Sequence, residues 1–111
     1  MARYIPKKGD LVALSFDPQS GHEQRGRRPA LVISNDLFNQ RTGLAVVCPV
    51  TSTKRDFPFH IPLPAGLSVT GFVMVEQVKA IDFATRRARF IQKAPATLLD
   101  EVLGVLGVCL Y

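Results

Sequence analysis

Short apolar runs broken by turn residues fill most of the first 93 positions. Leu11 to Phe16 follow Gly9 and Asp10 and stop at Asp17 and Pro18, the pattern of a strand closed by a turn. From Gln19 to Arg28 there is no apolar side chain, which predicts a charged surface loop. Pro29 then opens Ala30 to Ile33, a continuous branched run too short for a helix and suited to a strand buried on both faces. Ser34 is placed to cap a two-turn helix through Arg41, with Gly43 as its stop. Leu44 to Val50 reads as a second buried strand. Phe57 to Leu63 reads as an edge strand, because Pro58, Pro62 and Pro64 cannot donate to a ladder. Gly71 to Val75 and Val78 to Phe83 give two more strands, and the basic stretch Thr85 to Arg89 turns into a last one.

After Pro95 the period changes. Apolar residues at 98, 99, 102, 103, 105, 106, 109 and 110 follow helical spacing, with Pro95 at the first helical position. Gly104 and Gly107 weaken that helix, by about 1 kcal/mol each relative to alanine, and so suggest close packing on their face. Too few helices separate the strands for a parallel α/β sheet. The fold class is mainly β with α: a small antiparallel SH3-like barrel with a short internal helix and a C-terminal helix. At 111 residues, one domain spanning 1–111 is expected.

Composition narrows the functional classes. Apolar residues make up 47% of the chain and charged residues 21%, enough core and little enough charge to exclude disorder. All 14 Lys and Arg lie in residues 1–93 with seven of the nine acidic residues, so that stretch is +7 and the remainder is −2. A basic body points to a polyanionic partner, nucleic acid first, or to a solvated basic surface. No stretch of about 18–20 apolar residues marks a membrane span, and no signal peptide is visible at the N-terminus. Cys48 and Cys109 sit in apolar runs and read as reduced, buried thiols of a cytoplasmic protein. With two Cys and two His lacking ligand spacing, no metal site and no cofactor is expected.

Two stretches could carry chemistry. The polar loop holds Glu23, Arg25, Arg27 and Arg28, of which Arg28 is fixed beside a buried strand; a solvated loop is the plainer account. Thr51-Ser52-Thr53 with Lys54 and Arg55 at a strand end makes a candidate phosphate pocket, although hydroxyls there often only form turns. His22 and His60 read as solvated or structural residues rather than a catalytic pair.

The order Gly9-Asp10-Leu11-Val12, Phe16-Asp17-Pro18, then Gly21 to Ser34 resembles the N-terminal motif of the MazF/PemK-type toxin endoribonucleases. Val47 to Ser52 resembles their second motif and Glu76 to Asp82 the third. The resemblance implies a CcdB/MazF-type barrel and a two-fold homodimer. It also implies metal-independent cleavage of single-stranded RNA, by attack of the 2′-hydroxyl to leave a 2′,3′-cyclic phosphate. A cognate MazE-like antitoxin would block the RNA groove, and the toxin–antitoxin complex would bind operator DNA. Carried over by motif, the catalytic arginine is Arg28, the catalytic threonine Thr51 and the loop base Glu23. Substrate contacts fall to Phe16, Asp17, Arg25, Arg27, Ser52, Lys54, Gln77 and Lys79. The chain departs from the family in lacking tryptophan, in carrying Glu76 where many relatives have Asp, and in the basic character of its loop. Two competing functions need neither Arg28 nor Thr51: a CcdB-like gyrase poison, and an operon-binding regulatory module.

Overall fold

A computed structural model describes residues 3–15 and 26–111. Its strands are β1 (Asp10–Leu14), β2 (Arg28–Val32), β3 (Leu44–Thr51), β4 (His60–Pro62), β5 (Phe72–Met74), β6 (Lys79–Asp82) and β7 (Arg89–Lys93). Two helices, α1 (Asp36–Thr42) and α2 (Ala96–Leu110), and a 3-10 turn at Val75–Gln77 complete the described elements. The strand order is β4-β5-β3-β2-β1-β7, with β6 also on β3, and every pairing is antiparallel. The expected fold class is therefore the observed one.

Strand β3 organises the sheet. One edge pairs with β2 through Ala30–Pro49, Leu31–Cys48 and Val32–Val47. The other edge is shared by β6, opposite residues 44–47, and β5, opposite residues 50–51, with the 3-10 turn between them. Alternation then sorts side chains into two cores. Leu11, Leu31, Cys48, Val50 and Val73 face Leu98 and Val102 of α2, while Val12, Ala30, Val32, Val47 and Phe83 fill the other side. This is why β2 and β3 read as unbroken apolar runs. β4 lies at the sheet edge, as its prolines require.

The structure moves several element boundaries. The cap of α1 is Asn35, whose side chain accepts from Phe38 N at 2.8 Å, rather than Ser34. Ser34 is committed elsewhere: its Oγ donates to Asn39 Oδ1 and accepts from Val46 N, joining α1 to β3. Buried Asn39 in turn donates to Pro6 O at 2.7 Å and holds the N-terminal segment down. β1 ends at Leu14, and Phe16 lies outside the described residues. Pro95 occupies the cap of α2 instead of its first turn. The expected close packing at Gly104 and Gly107 is absent: a Cβ at either would meet nothing within 4 Å among the described residues. Their helix turns its other side, Leu98 and Val102, to the core. Cys48 is buried as expected, but Cys109 is exposed. No helix of the described residues is long and apolar enough to cross a membrane.

Candidate active site

The β2–β3 register brings the two main candidates together. The ladder runs from Val32–Val47 to Ala30–Pro49, with Arg28 two residues before Ala30 on β2 and Thr51 two residues after Pro49 on β3. Ala30 and Pro49 are opposed and share a face, and by strand alternation the residues two positions away, Arg28 and Thr51, belong to that same face. Arg28 is exposed at the start of β2 and Thr51 is half-buried at the end of β3.

Local bonds shape what each residue presents. Thr51 Oγ1 accepts from Thr53 N at 3.2 Å, which leaves its O–H to donate. Thr51 also pairs with Phe72 on β5, and the neighbouring Gly71 at φ 122° lies so close that a Cβ there would meet Thr51 O at 2.2 Å. This end of β3 is thus packed backbone on backbone. Ser52 and Lys54 are exposed on the segment that follows.

Arg27 is bound to the protein itself. Its guanidinium donates to Ser15 Oγ at 3.0 Å, Ala13 O at 3.2 Å and Arg87 O at 2.7 Å. One side chain therefore ties the end of β1, the start of β2 and the β6–β7 turn together. Desolvation and, after it, the charges of Arg89 and Arg87 pull its pKa below the usual arginine value. Expected as a substrate contact, Arg27 in the structure is a clamp.

Beside Thr51 lies a recess of about 190 Å³. Thr51 and Thr53 line it from β3 and its continuation, and Arg55 from the segment beyond. His60 enters from β4, and Met74, Glu76 and Gln77 come from β5 and the 3-10 turn. His60 is buried and its Nε2 lies 2.9 Å from Glu76 Oε2. The Phe57 ring stands edge-on to the imidazole at 5.0 Å, and Nδ1 is buried with no partner among the described residues.

Of the residues expected to form the site, Thr51 and Gln77 meet in the recess, while Arg28 starts the neighbouring strand β2 and does not line it. Lys79 does not join them. It pairs with Val47, four residues along β3 from Thr51, or about 13 Å at strand rise. Phe16, Asp17, Glu23 and Arg25 lie outside the described residues. Sequence reasoning set His60 aside, yet it is one half of the acid–imidazole pair in the recess. The β4–β5 register, His60 opposite Met74, is the signal that carries Glu76 toward it. Among the described residues no three His, Cys, Asp or Glu side chains cluster as metal ligands.

Comparison with known proteins agrees with the geometry. Residues 7–110 match the family model described as PemK-like, MazF-like toxin of type II toxin-antitoxin system. Endoribonuclease PemK of Escherichia coli is 38% identical over 108 residues, covering 94% of this chain and 81% of the relative. Endoribonuclease EndoA of Bacillus subtilis is 35% identical over 111 residues, covering 96% and 95%. The MazE–MazF crystal structure (Form-III) from Deinococcus radiodurans superposes with a TM-score of 0.89 at 47% identity, covering 96% of this chain and 97% of that one. The chain therefore belongs to the PemK-like, MazF-like toxin family of type II toxin–antitoxin systems.

Proposed function

We infer that the chain is the toxin of such a system, an endoribonuclease that cuts single-stranded RNA in the cytoplasm. The observation that carries this reading is the β2–β3 ladder, with Arg28 two residues before its Ala30–Pro49 pair and Thr51 two residues beyond it. Relatives named endoribonucleases at 35–38% identity support it.

RNA can be cleaved by its own 2′-hydroxyl attacking the adjacent phosphorus, with loss of the 5′-oxygen and formation of a 2′,3′-cyclic phosphate. The protein must then stabilise a phosphorane with added negative charge and move two protons. Arg28 supplies a planar pair of N–H donors for the phosphoryl oxygens, and the Thr51 O–H supplies another. Glu23 takes the 2′-hydroxyl proton as general base. Ser52, Lys54 and Gln77, with Phe16, Asp17, Arg25 and Lys79, bind flanking RNA; Arg27 ties the residue before Arg28 to β1 and the β6–β7 turn. No metal is needed for these steps.

One domain spanning 1–111 acts as half of a two-fold homodimer, in which two basic faces share one groove. The exposed apolar end of α2, with Val108 at 74% and Leu110 at 65% exposure, supports a surface between copies. The MazE–MazF complex among the similar structures supports a MazE-like antitoxin as partner.

The test is cleavage of a long single-stranded RNA in EDTA by wild type and Arg28→Ala. Wild type should leave 2′,3′-cyclic phosphate ends, and Arg28→Ala should be slower by about 10²–10³. Intact RNA with folded wild type refutes the reading. Growth arrest that persists in Arg28→Ala and Thr51→Val with RNA intact would assign the toxin a protein target instead.

A further inference from the structure

We propose that Arg87 and Arg89, set beside the Arg27 clamp, bind a backbone phosphate of the RNA away from the scissile one, so that the substrate runs along one rim of the sheet. The proposal rests on the endoribonuclease reading and adds to it a binding site for the flanking backbone.

The sheet places these groups in a row. Thr51 ends β3, Arg28 opens β2, Leu14 ends β1 and Arg89 opens β7. The strands are antiparallel neighbours in that order, so these residues stand on one rim. Leu14 pairs with Arg28, and Ala13 with Arg89. At a strand spacing of about 4.8 Å, β7 lies about 10 Å from β2 and about 14 Å from β3. A phosphate held at β7 is therefore a different one from the phosphate that Arg28 and Thr51 meet in the proposed reaction. Alternation turns Arg28 and Arg89 to opposite faces, so a chain that meets both crosses the strand ends.

The β6–β7 turn is built to present this pair. Asp82 Oδ1 accepts from Ala84 N at 3.1 Å and Thr85 N at 3.0 Å, and Ser15 N donates to Arg86 O at 2.7 Å. Arg87 then takes φ 53°, and among the described residues no other residue but glycine has positive φ. Its carbonyl accepts from the Arg27 guanidinium at 2.7 Å. Glycine would supply that carbonyl without the conformational cost, so what the arginine adds is its exposed guanidinium.

Charge names the occupant. Arg87 and Arg89 are exposed, and among the described residues neither has a carboxylate within ion-pair distance. Desolvation first, and then the charges of Arg89 and Arg87, hold Arg27 below the usual arginine value, so the cations repel one another. An anion relieves that repulsion, and the oxygens of a phosphate fit the planar fork of arginine. RNA carries such a group at every nucleotide, so a strand bound at Arg28 and Thr51 delivers a second phosphate along the same rim.

The experiment maps a cut site on a long single-stranded RNA. Cleavage of an RNA carrying that site is then measured with wild type, Arg87→Gly, Arg89→Gln and the double variant. Arg87→Gly keeps the carbonyl and relaxes the turn, so it removes the guanidinium alone. Each single variant should raise KM about three- to tenfold with kcat within about twofold of wild type, and the slope of log KM against log salt should change by about 0.7 in the double variant. A neutral methylphosphonate is next moved along the RNA one linkage at a time. In wild type it should weaken binding at one flanking linkage as well as at the cut, and in the double variant the flanking effect should vanish. Thermal melts report folding; should Arg89→Gln not fold, Arg87→Gly decides by itself. Unchanged KM and salt slope overturn the proposal, as does a fall in kcat with KM unchanged, which would place the turn in the chemistry. Weakened binding of a polyglutamate peptide with RNA binding intact assigns the arginines to an acidic protein and overturns it as well. If wild type cuts no RNA, the endoribonuclease reading falls and this inference with it. If wild type cuts and the variants match it, that reading stands and only this inference falls.

Discussion

Gly71→Ala tests how tightly the Thr51 end of β3 is built. Gly71 has φ 122°, a conformation that L side chains rarely adopt, and holding alanine there costs about 1–3 kcal/mol. Sterics add a second cost. The new Cβ would stand 2.2 Å from Thr51 O, 3.0 Å from Thr51 C and 3.3 Å from Ser52 Cα. Ordinary contact between nonbonded heavy atoms is about 3.5 Å, so the two backbones must part by about 1 Å. They are not free to do so: Gly71 O accepts from Leu63 N at 2.9 Å, and Phe72 pairs with Thr51. Forced displacement of this kind costs about 1–3 kcal/mol more, for a total of about 2–6 kcal/mol. Because the displaced residue is Thr51, cleavage should also fall by about 10²-fold at temperatures where the variant is folded. Gly66→Ala is the control. Gly66 also has positive φ (95°), but its Cβ would meet nothing within 4 Å among the described residues, so only the conformational cost applies. Urea denaturation gives the stabilities and a fluorogenic RNA gives the rates. Equal stability losses and equal rates for the two variants would refute the close approach.

Asp10 is 3% exposed and accepts from Tyr4 Oη, Lys7 N and Lys93 Nζ, so Asp10→Asn should cost about 1–3 kcal/mol in urea melts; a loss within error would contradict that network. Arg27→Lys keeps the charge but cannot reach Ser15 Oγ, Ala13 O and Arg87 O from one nitrogen. It should lower cleavage about tenfold with little change in melting temperature, and full activity would remove the clamp from the mechanism. Cys48 has its thiol pushed up to about 12, first by burial and then by the charges of Glu76 and Cys109. The folded state holds this proton more tightly than the unfolded chain, whose thiol titrates near 9.0, so the contribution is intact below that pH and lost toward 12. Urea melts from pH 8 to 11 should show stability falling by up to about 1.4 kcal/mol per pH unit, partly flattened in Cys48→Val, with Tyr4 adding a loss of the same sign. Gly104→Ala, in open space on α2, should raise stability by about 1 kcal/mol in thermal melts; destabilisation would place its face in a contact between copies.

What was legible in the chain follows from how local each signal is. The buried strands β2 and β3 announce themselves because both faces are covered, and prolines mark β4 as an edge. The helix α2 is legible from period alone. Ser34 misleads because a hydroxyl before a helix can satisfy either its own helix or a neighbouring strand, and only the fold puts Val46 N within its reach. Gly104 misleads for the opposite reason: a glycine that permits close packing does not create a partner to pack against.

The site divides along the same line. Arg28 and Thr51 each lie in a contiguous motif, and the register that joins them is that of two strands whose apolar runs were already visible. Sequence set Arg28 apart by its place beside the buried strand, but held no sign of what Arg27 binds. Three backbone and hydroxyl acceptors from distant segments decide that Arg27 binds the protein. His60 and Glu76 are 16 residues apart, and nothing local links a histidine on an edge strand to an acid in a turn. Their pairing depends on the β4–β5 register, which only the fold supplies. The two halves of the site therefore answer to different perturbations. In the proposed function Arg28 and Thr51 serve as donors to the phosphate, whereas the His60–Glu76 pair sits on a separate hairpin.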